Sequence, residues 1–580
     1  MRNTRRLYGL LLLICVLGLG TAATTPVFAQ KEVPTFTYEL RTDAKFKDGT
    51  TLTAHDVKWS FERAINMGQD AAFLLADMIH SIEVVDDNHV QFILKDNFPF
   101  FEIILTNSIA IVLKKDSVSV VSGEADGVDG AIAWGTGPYR LTSETRDVEV
   151  VLERNPNYYN YPNPVKNSKV IITYYASNAL LAAALEAGDI DLAHRHLTAT
   201  KITELMANEA DDIDVILPPS SQVRYLVLPN ETLYPRINQN IRQAIAYAVD
   251  RAAIIEGAWS GMTTPAYTMV APGMWGHEFT SKFPTRDLAK ARELLAAEGY
   301  SEANPFEFEL WYSPTHYGTE EASVAAIIKA ALEETKMMKV TIQFVEWAEY
   351  RQKWKATEME VFLLGWYPDY LDIDTYLYPF YHSSGANWGP KPDPLNPELD
   401  SLLYNARLTL DLNIRKALYE RAAEIMAEEC KVIPLWYGYQ NAAFKKDVTG
   451  VVLGPDMTIR YENIQKGPNT DGVLRVGTVD KVISLDAADT YDYHSWNLAR
   501  HCGSTLVDYK EGTTEIDYHL ATGPPTIGQT VIGVETVVTT MPITTLVTTT
   551  VVSEFASCIL VVGGALGISI VLRASRKKRN

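Results

Sequence analysis

The strongest constraint on this chain is an alternation of strand-like apolar runs and helix-like segments through its middle. Runs with strand patterning are Val170–Tyr175, Arg224–Leu228, Phe306–Tyr312 and Val340–Phe344. Segments with helical patterning are 179–187 closed by Gly188, 240–256, 288–298 followed by Gly299, and 320–335. Strands and helices that take turns along a chain predict an α/β protein with mostly parallel sheets.

The segment Val361–Pro379 continues this series and changes its chemistry. An apolar run, Val361–Leu364, predicts a buried strand. Trp366, Tyr367, Asp369 and Tyr370 follow it directly. A buried strand that ends in rings and a carboxylate is the usual way in which an α/β protein meets a small ligand. A core strand followed by a tyrosine-rich surface loop fits this stretch equally well when it is taken alone.

Both ends of the chain are patterned for export and anchoring. Residues 1–29 predict a signal peptide, because basic residues precede a short apolar run and small residues precede Gln30. Residues 522–553, rich in Thr and Val, predict an extended stalk. Residues 554–573 predict a transmembrane helix and 574–580 a basic cytoplasmic tail. The expected location is the cell membrane, single-pass with the body extracellular, and the export route, general or twin-arginine, stays open.

Charge and reactive side chains exclude several classes of protein. A net charge of -20 argues against nucleic-acid binding, which needs a basic surface. His194 and His196, with Arg195 between them, do not have a usable metal spacing, and no nucleophile elbow is present in the sequence. We therefore expect no enzyme activity, no cofactor and no bound metal. Cys430 and Cys502 fall in the folded part, as a disulfide or as two free thiols.

Six stretches in a fixed order carry a family resemblance. They are 40–57 with its Lys-Asp-Gly-Thr turn, 135–139, 155–159, 185–191, 241–251 and 365–370. Together they resemble the dipeptide/oligopeptide-binding family, family 5, of extracellular solute-binding proteins, which are receptors of ABC importers. The Thr-rich stalk and the anchor resemble those of archaeal members. The resemblance implies an α/β, two-lobed class II periplasmic-binding-protein fold with an extra small domain, which holds its ligand between the lobes.

The implied domain boundaries follow that fold. Within a body of residues 30–521, we expect the small domain at 36–165 with 511–521. Lobe I is expected at 166–222 with 437–510, and lobe II at 223–436.

The order of segments departs from the family pattern. Residues 473–506 resemble the mature N-terminus of the family, and 515–521 resemble the run that leads into Phe36. The body therefore resembles a circularly permuted member, with 465–471 as the joining loop, whose reach is about 25 Å at most. On this interpretation Leu474–Thr478 is a strand inside the sheet of lobe I, and Ala521 lies near 31–36. An extra strand and helix with a chance likeness is the alternative.

The resemblance also assigns a ligand site. In peptide-binding members, the carboxylate three residues after the Gly-Trp tryptophan holds the α-amino group of the ligand, and the matching residue is Asp369. The full set of predicted ligand-binding residues is Trp366, Tyr367, Asp369, Tyr370, Trp388, Tyr491 and Tyr493. Dipeptide binders place an arginine near the start of the helix that matches 320–335, where this chain has Glu320 and Glu321. Capture of a peptide C-terminus by that helix is therefore in doubt.

Three functions remain open at this point. A peptide is the preferred ligand, delivered to the transmembrane subunits of an ABC permease. An oligosaccharide such as a β-linked disaccharide is the alternative, because aromatic rings gather near the Gly-Trp motif: Trp347, Trp354, Trp366, Tyr367, Tyr370, Tyr381 and Trp388. A stalked surface or adhesion protein is the third, although such proteins are usually arrays of β-sandwiches.

Overall fold

The computed structural model describes residues 24–160, 164–208, 212–228, 234–314, 316–318, 320–385, 396–467 and 472–539. Side chains are described between Gln30 and Gly533 within those ranges. The chain divides into one unit of Pro34–Gly528 and a second of Met1–Val33 with Gln529–Asn580. In the second unit, the described residues are the outer parts of two strands, β1 and β21, whose bounds follow.

The strands, in chain order, are β1 Thr24–Glu39, β2 Ile79–Asp86, β3 His89–Leu94, β4 Tyr139–Thr145, β5 Glu149–Arg154, β6 Lys169–Tyr174, β7 Leu192–His194, β8 Ile213–Ile216, β9 Pro219–Val227, β10 Thr264–Pro265, β11 Phe306–Tyr312, β12 Met338–Phe344, β13 Val361–Trp366, β14 Val432–Tyr439, β15 Ala442–Lys445, β16 Val448–Thr449, β17 Gln465–Lys466, β18 Val473–Thr478, β19 Val507–Tyr509, β20 Ile516–Tyr518 and β21 Thr526–Thr539.

The α-helices are α1 Ala54–Met67, α2 Phe73–Ala76, α3 Phe101–Ile104, α4 Asn178–Ala187, α5 Ala199–Ala207, α6 Gln239–Ala248, α7 Arg251–Trp259, α8 Leu288–Ala297, α9 Glu321–Glu333, α10 Trp347–Lys355, α11 Asp374–Tyr381, α12 Pro397–Leu408, α13 Leu412–Glu429 and α14 Tyr493–Cys502. Short 3₁₀ helices cover Ser108–Ala110 and Ala131–Trp134.

Two large mixed sheets form the two lobes, which confirms the predicted two-lobed α/β fold. Lobe I is built on the order β4-β5-β6-β18-β7-β15-β8, and lobe II on β10-β14-β9-β13-β11-β12. The expectation of mostly parallel sheets is wrong. Strands β9 and β14 run antiparallel to their neighbours in lobe II, and β15 does so in lobe I. The cause is that the chain enters and leaves lobe II through adjacent strands rather than through helical crossovers.

The chain passes between the lobes at two places that lie side by side. It leaves β8 for β9 through Leu217 and Pro218, and it leaves β14 for β15 through Gln440 and Asn441. The two crossings are tied together, because the amide of Gln440 donates to the carbonyl of Pro218 at 3.1 Å. Two short adjacent connections of this kind are suited to hinge motion of one lobe against the other.

The small domain carries its own sheet and core. Its sheet has the order β2-β3-β1-β21, and β1 pairs with β3 from Thr35 to Glu39. Leu506, Val507, Leu520 and Ala521 pack into the apolar cluster of this domain. Strands β4 and β5 were expected in the small domain, but they lie in the sheet of lobe I, where β5 pairs with β6.

Strand β18 occupies the centre of lobe I. It lies between β6 and β7 and runs parallel to both. Its side chains Leu474 and Val476 are fully buried. At the other end of the same part of the chain, Ala521 forms a β-bridge with Leu40, and the amide of Arg41 donates to the carbonyl of Leu520 at 2.9 Å.

Local sequence signals account for several helix ends. Helix α4 ends at Gly188 with a φ of 81°, as the Ala/Leu-rich run predicted. The single helix predicted over 240–256 is instead two helices, α6 and α7. Asp250 interrupts the periodic pattern because its side chain accepts a hydrogen bond from the amide of Ala253 at 2.9 Å and so begins a new helix.

The two ends of the chain are described only in part. The predicted signal peptide lies outside the described residues except for 24–29, which form the start of β1. The predicted stalk begins with strand β21 rather than with unpaired chain. The predicted transmembrane helix and basic tail lie outside the described residues. Within the described ranges, no helix has the length and apolar character to cross a membrane.

Candidate functional site

Strand β13 ends within the Gly-Trp motif, and Asp369 follows it at the border between the lobes. Asp369 is 9% exposed, and the hydroxyl of Tyr491 donates to its Oδ1 at 2.6 Å. The Nδ2 of Asn107, from the small domain, donates to the Asp369 carbonyl at 2.9 Å. Tyr491 therefore holds the carboxyl and Asn107 holds the backbone of the same residue, so that two other parts of the fold fix Asp369 in place, as a preorganised binding group requires.

Burial sets the electrostatics of this carboxyl. It raises the pKa of Asp369 to about 7, although the hydrogen bond from Tyr491 acts in the opposite direction. Burial, followed by the nearby Asp369, also raises the pKa of the Tyr491 phenol well above its ordinary value. A cationic group brought next to Asp369 would find a partner that ionises readily near neutral pH.

A second contact between the lobes involves Arg195. This residue follows β7 in lobe I, and its Nη2 donates to the hydroxyl of Tyr367, which follows β13 in lobe II, at 3.3 Å. The guanidinium carbon lies 4.3 Å from the centre of the Tyr493 ring. The rings of Tyr367 and Tyr493 stack with centroids 6.2 Å apart. We refer to Arg195, Tyr367, Asp369, Tyr491 and Tyr493 as the interlobe site.

An acidic residue of lobe I lies behind Arg195. Asp480 follows β18; its Oδ1 lies 2.7 Å from His196 Nε2, and its Oδ2 lies 3.7 Å from Arg195 Nη1. His494 Nδ1 approaches the same carboxylate at 3.8 Å. Burial alone would raise the pKa of Asp480, but Arg195, His196 and His494 together hold it well below its usual range. This group stands at the carboxyl ends of the parallel strands β18 and β7, where α/β folds place ligands.

The structure separates the predicted site residues into three sets. Tyr367, Asp369, Tyr491 and Tyr493 come together in the interlobe site. Trp366 and Tyr370 lie in the core instead: the Trp366 ring packs edge-on against Phe380 at 5.2 Å, and Tyr370 stacks on Phe100 at 5.3 Å. Trp388 lies outside the described residues. Most of the rings expected for sugar stacking are likewise packed in the protein, since Trp354 and Tyr381 are buried.

The glutamate at the start of α9 is paired with an arginine from strand β9. Glu321 is 1% exposed, and its carboxylate accepts from Nη2 of Arg224, on β9, at 2.6 Å. The Tyr317 ring lies over the same guanidinium at 3.6 Å, and its hydroxyl donates to the carbonyl of Gly365 at 3.2 Å. The helix that lacks the family arginine therefore begins with a glutamate that belongs to a buried ion pair.

Sequence reasoning missed Arg195, Asp480 and the pairing of Glu321. Arg195 and His196 both adopt left-handed backbone conformations, with φ of 64° and 62°. Two such residues in succession, neither of them glycine, are unusual and mark a constrained turn. The position of Arg195 directly after a predicted strand was the signal that could have singled it out. Within the described ranges, no group of three or more His, Cys, Asp or Glu side chains has metal-binding geometry.

The two cysteines resolve as free thiols. Cys430 ends α13 in lobe II and Cys502 ends α14 beside lobe I, and both are buried and unbonded to each other. Burial raises the pKa of each thiol to about 12. Such thiols are unreactive near neutral pH.

Comparison with known proteins adds the family context. Residues 23–388 match a family model described as bacterial extracellular solute-binding proteins, family 5 Middle. A probable D,D-dipeptide-binding periplasmic protein, DdpA, of Escherichia coli (strain K12) is 29% identical over 432 residues, covering 73% of this chain and 80% of the relative. The dipeptide-binding protein of the same strain is 25% identical over 480 residues, covering 77% and 87%.

The solved structures show the same fold. The crystal structure of a dipeptide-binding protein from Pseudoalteromonas sp. SM9913 in complex with Met-Leu has a TM-score of 0.63 to this chain. It is 24% identical, and the match covers 77% of this chain and 90% of that one.

Proposed function

Because this chain belongs to the bacterial extracellular solute-binding proteins of family 5, we propose that it is the peptide-binding receptor of an ABC importer. The observation that carries the proposal is Asp369, a carboxylate buried at the border of the two lobes and hydrogen-bonded by Tyr491. A buried ammonium needs a counter-charge, and the α-amino group of a peptide supplies the matching cation. Two relatives named as a probable D,D-dipeptide-binding protein and a dipeptide-binding protein support the same ligand class.

The mechanism follows from the two lobes and their two connections. A peptide enters between the lobes, its ammonium meets Asp369, and hinge closure at 217–218 and 440–441 shields the pair from water. The contacts Arg195–Tyr367 and Tyr491–Asp369 both join lobe I or its flanking segment to the end of β13. Closure therefore completes the site, and the closed form is the one that a permease would recognise.

The test is calorimetric titration of the full chain with alanyl-phenylalanine and with its N-acetyl derivative. Asp369→Asn should weaken binding of the free peptide by about 2–5 kcal/mol, because it leaves the ammonium without a charge partner. The N-acetyl derivative should bind weakly to both forms. Asp287→Asn is the matched control: it removes one carboxylate at the start of α8, where asparagine caps equally well.

Two outcomes would reject this function. One is binding of the free peptide that is unchanged by Asp369→Asn. The other is absence of peptide binding together with saturable binding of cellobiose or another β-linked disaccharide, which would favour the sugar receptor. The burial of Trp366, Trp354 and Tyr381 argues against the sugar, since it removes three of the rings expected to stack on it.

The proposal includes tethering to the cell surface. An uncharged apolar run of about 18 residues within 554–573 is near the length that spans a membrane, and the basic residues after it favour a cytoplasmic tail. A tether would raise the effective concentration of the receptor at its permease. Protease treatment of intact cells should digest the body and leave an epitope placed after Asn580 protected. Loss of that epitope at the same rate as the body would contradict the topology.

The proposal also includes circular permutation of the body. It is supported by β18, which lies between β6 and β7, and by the bridge between Ala521 and Leu40. Both contacts are expected if residues 472–522 correspond to the segment with which the relatives begin. In this chain, that segment then stands at the C-terminal side of the body.

A further inference from the structure

Arg195 is the cationic side chain of the interlobe site, and nothing in the proposed role of Asp369 uses it. It stands at the end of β7, and its backbone amide donates to the carbonyl of Asn441 at 3.0 Å, beside the second crossing between the lobes. Together with the left-handed conformations of Arg195 and His196, this bond fixes where the side chain begins. Strain that the surrounding fold maintains in this way is typical of ligand-binding positions.

The guanidinium keeps most of its donors available. An arginine carries five N–H groups, and within the described residues Arg195 uses one in a hydrogen bond, to Tyr367. Its approach to Asp480, 3.7 Å, is too long for a hydrogen bond, and the nearer partner of Asp480 is His196 at 2.7 Å. The Arg195 side chain is 14% exposed, and its Nη1 is buried without a hydrogen-bond partner among the described residues.

The spacing of the flanking residues relates Arg195 to Asp369. Tyr367 and Asp369 are two residues apart, and so are Tyr493 and Tyr491. Tyr367 and Tyr493 contact Arg195. The other two residues contact each other, because Tyr491 donates a hydrogen bond to Asp369. Cα atoms two residues apart are separated by at most about 7 Å. A cation and an anion therefore border the same part of the site.

We propose that Arg195 binds the α-carboxylate of a dipeptide or tripeptide whose ammonium pairs with Asp369. The inference rests on the proposed function and deepens it, because it names the ligand as a short zwitterionic peptide with a free C-terminus. Arg195 supplies the positive charge that the start of α9 cannot offer, since Arg224 there is already bound to Glu321. A planar guanidinium beside two tyrosine rings can bind a carboxylate with two parallel hydrogen bonds.

The experiment compares free acids with C-terminal amides. The full chain and its Arg195→Gln variant are titrated with alanyl-phenylalanine, alanyl-alanyl-phenylalanine and the amide of each. The parent protein should bind the free acids at least tenfold more tightly than the amides. Arg195→Gln should bring the free acids down to the affinity of the amides and leave the amides unchanged. An unchanged preference in Arg195→Gln, or none in the parent protein, would overturn the assignment.

Two further variants separate a direct contact from a structural role. Arg195→Lys should retain part of the preference, because the charge remains while the bidentate geometry is lost. Arg146→Gln, which changes a half-exposed arginine of lobe I, should bind as the parent does. Weakening of acids and amides by the same factor in Arg195→Gln would indicate a structural role and overturn the proposal.

The N-acetyl peptide distinguishes this inference from the proposed function. If amidation weakens binding and N-acetylation does not, the role of Asp369 fails and that of Arg195 stands. If N-acetylation weakens binding and amidation does not, the role of Arg195 fails alone. No binding of any of these peptides to the parent protein overturns both.

Discussion

A carboxyl such as Asp369, with a pKa raised by burial to about 7, makes peptide affinity depend on pH. Below pH 7 the empty site is protonated, so an arriving ammonium must displace a proton. We expect affinity to rise about tenfold per pH unit between pH 5 and 7 and to level off above it, as proton linkage requires. Titrations of a free peptide at half-unit steps measure the slope, and Asp369→Asn should abolish it. An equal slope in that variant would assign the titration to another group.

The same carboxyl acts on stability with the opposite sign. Its folded pKa lies above the ordinary unfolded value of about 3.9, so the folded state binds the proton more tightly between these pH values. The stabilising contribution of protonated Asp369 is complete below about pH 4 and is lost as pH rises towards 7. Without ligand, the difference in unfolding free energy between Asp369→Asn and the parent should therefore grow in favour of the variant from pH 4 to 7. Urea unfolding at several pH values measures it, and a difference that stays constant would contradict the shift.

Single residues show what the sequence could and could not reveal about the site. Asp369 was predicted from a motif, and its surroundings fit a binding role. Trp366 and Tyr370 were predicted beside it, but alternate positions around a strand end point in different directions, and these two pack into the core. Arg195 could not be paired with Tyr367 from sequence, because the contact joins the ends of two strands in different sheets.

At the scale of elements, the end of β13 requires a glycine at position 365, because a side chain there would meet neighbouring atoms. A Cβ added at Gly365 would lie 2.4 Å from Arg224 Nη1 and 2.8 Å from a ring carbon of Tyr317. We expect Gly365→Ala to lower the unfolding free energy by about 1–3 kcal/mol, because the buried Arg224–Glu321 pair must shift. Urea denaturation measures the loss. Gly523→Ala, where a Cβ meets no atom within 4 Å, should stay within about 0.5 kcal/mol of the parent.

Helices and strands were predicted best where a single local sequence signal marked them and no other signal contradicted it. The helix that ends at Gly188 and the strand at β13 followed from periodicity and a terminating residue. The break between α6 and α7 did not, because the apolar repeat continues across it and the capping role of Asp250 shows only in the folded backbone. The direction of β9 and β14 was equally hidden, since it depends on where the chain crosses between lobes.

At the scale of the whole molecule, the permuted order can be reversed. A chain that runs from Gly472 to Gly528, then through a two-residue Asn-Gly turn to Pro34, and on to Gly467 would restore the order of the relatives. The new junction is short, because a Cβ at Gly528 would lie 2.9 Å from Thr35 Oγ1. We expect the same circular dichroism spectrum and a peptide affinity within about threefold, since domain termini tolerate such rearrangement.

The control for this design is the same segment of the chain, Pro34–Gly528, in its present order. Both proteins contain the described interlobe site, so the comparison isolates connectivity. A reordered chain that is insoluble, beside a soluble control, would contradict the circular permutation.

The position of β18 has a consequence for protein synthesis. Lobe I receives its central strand from residues 473–478, whereas the strands on either side of it, β6 and β7, end by residue 194. All of lobe II, from β9 to β14, leaves the ribosome in between. During translation lobe II can complete its sheet first, while β6 and β7 wait with unpaired edges that are prone to aggregate. We expect the nascent chain to be most exposed to misfolding, and most in need of a chaperone, until β18 emerges.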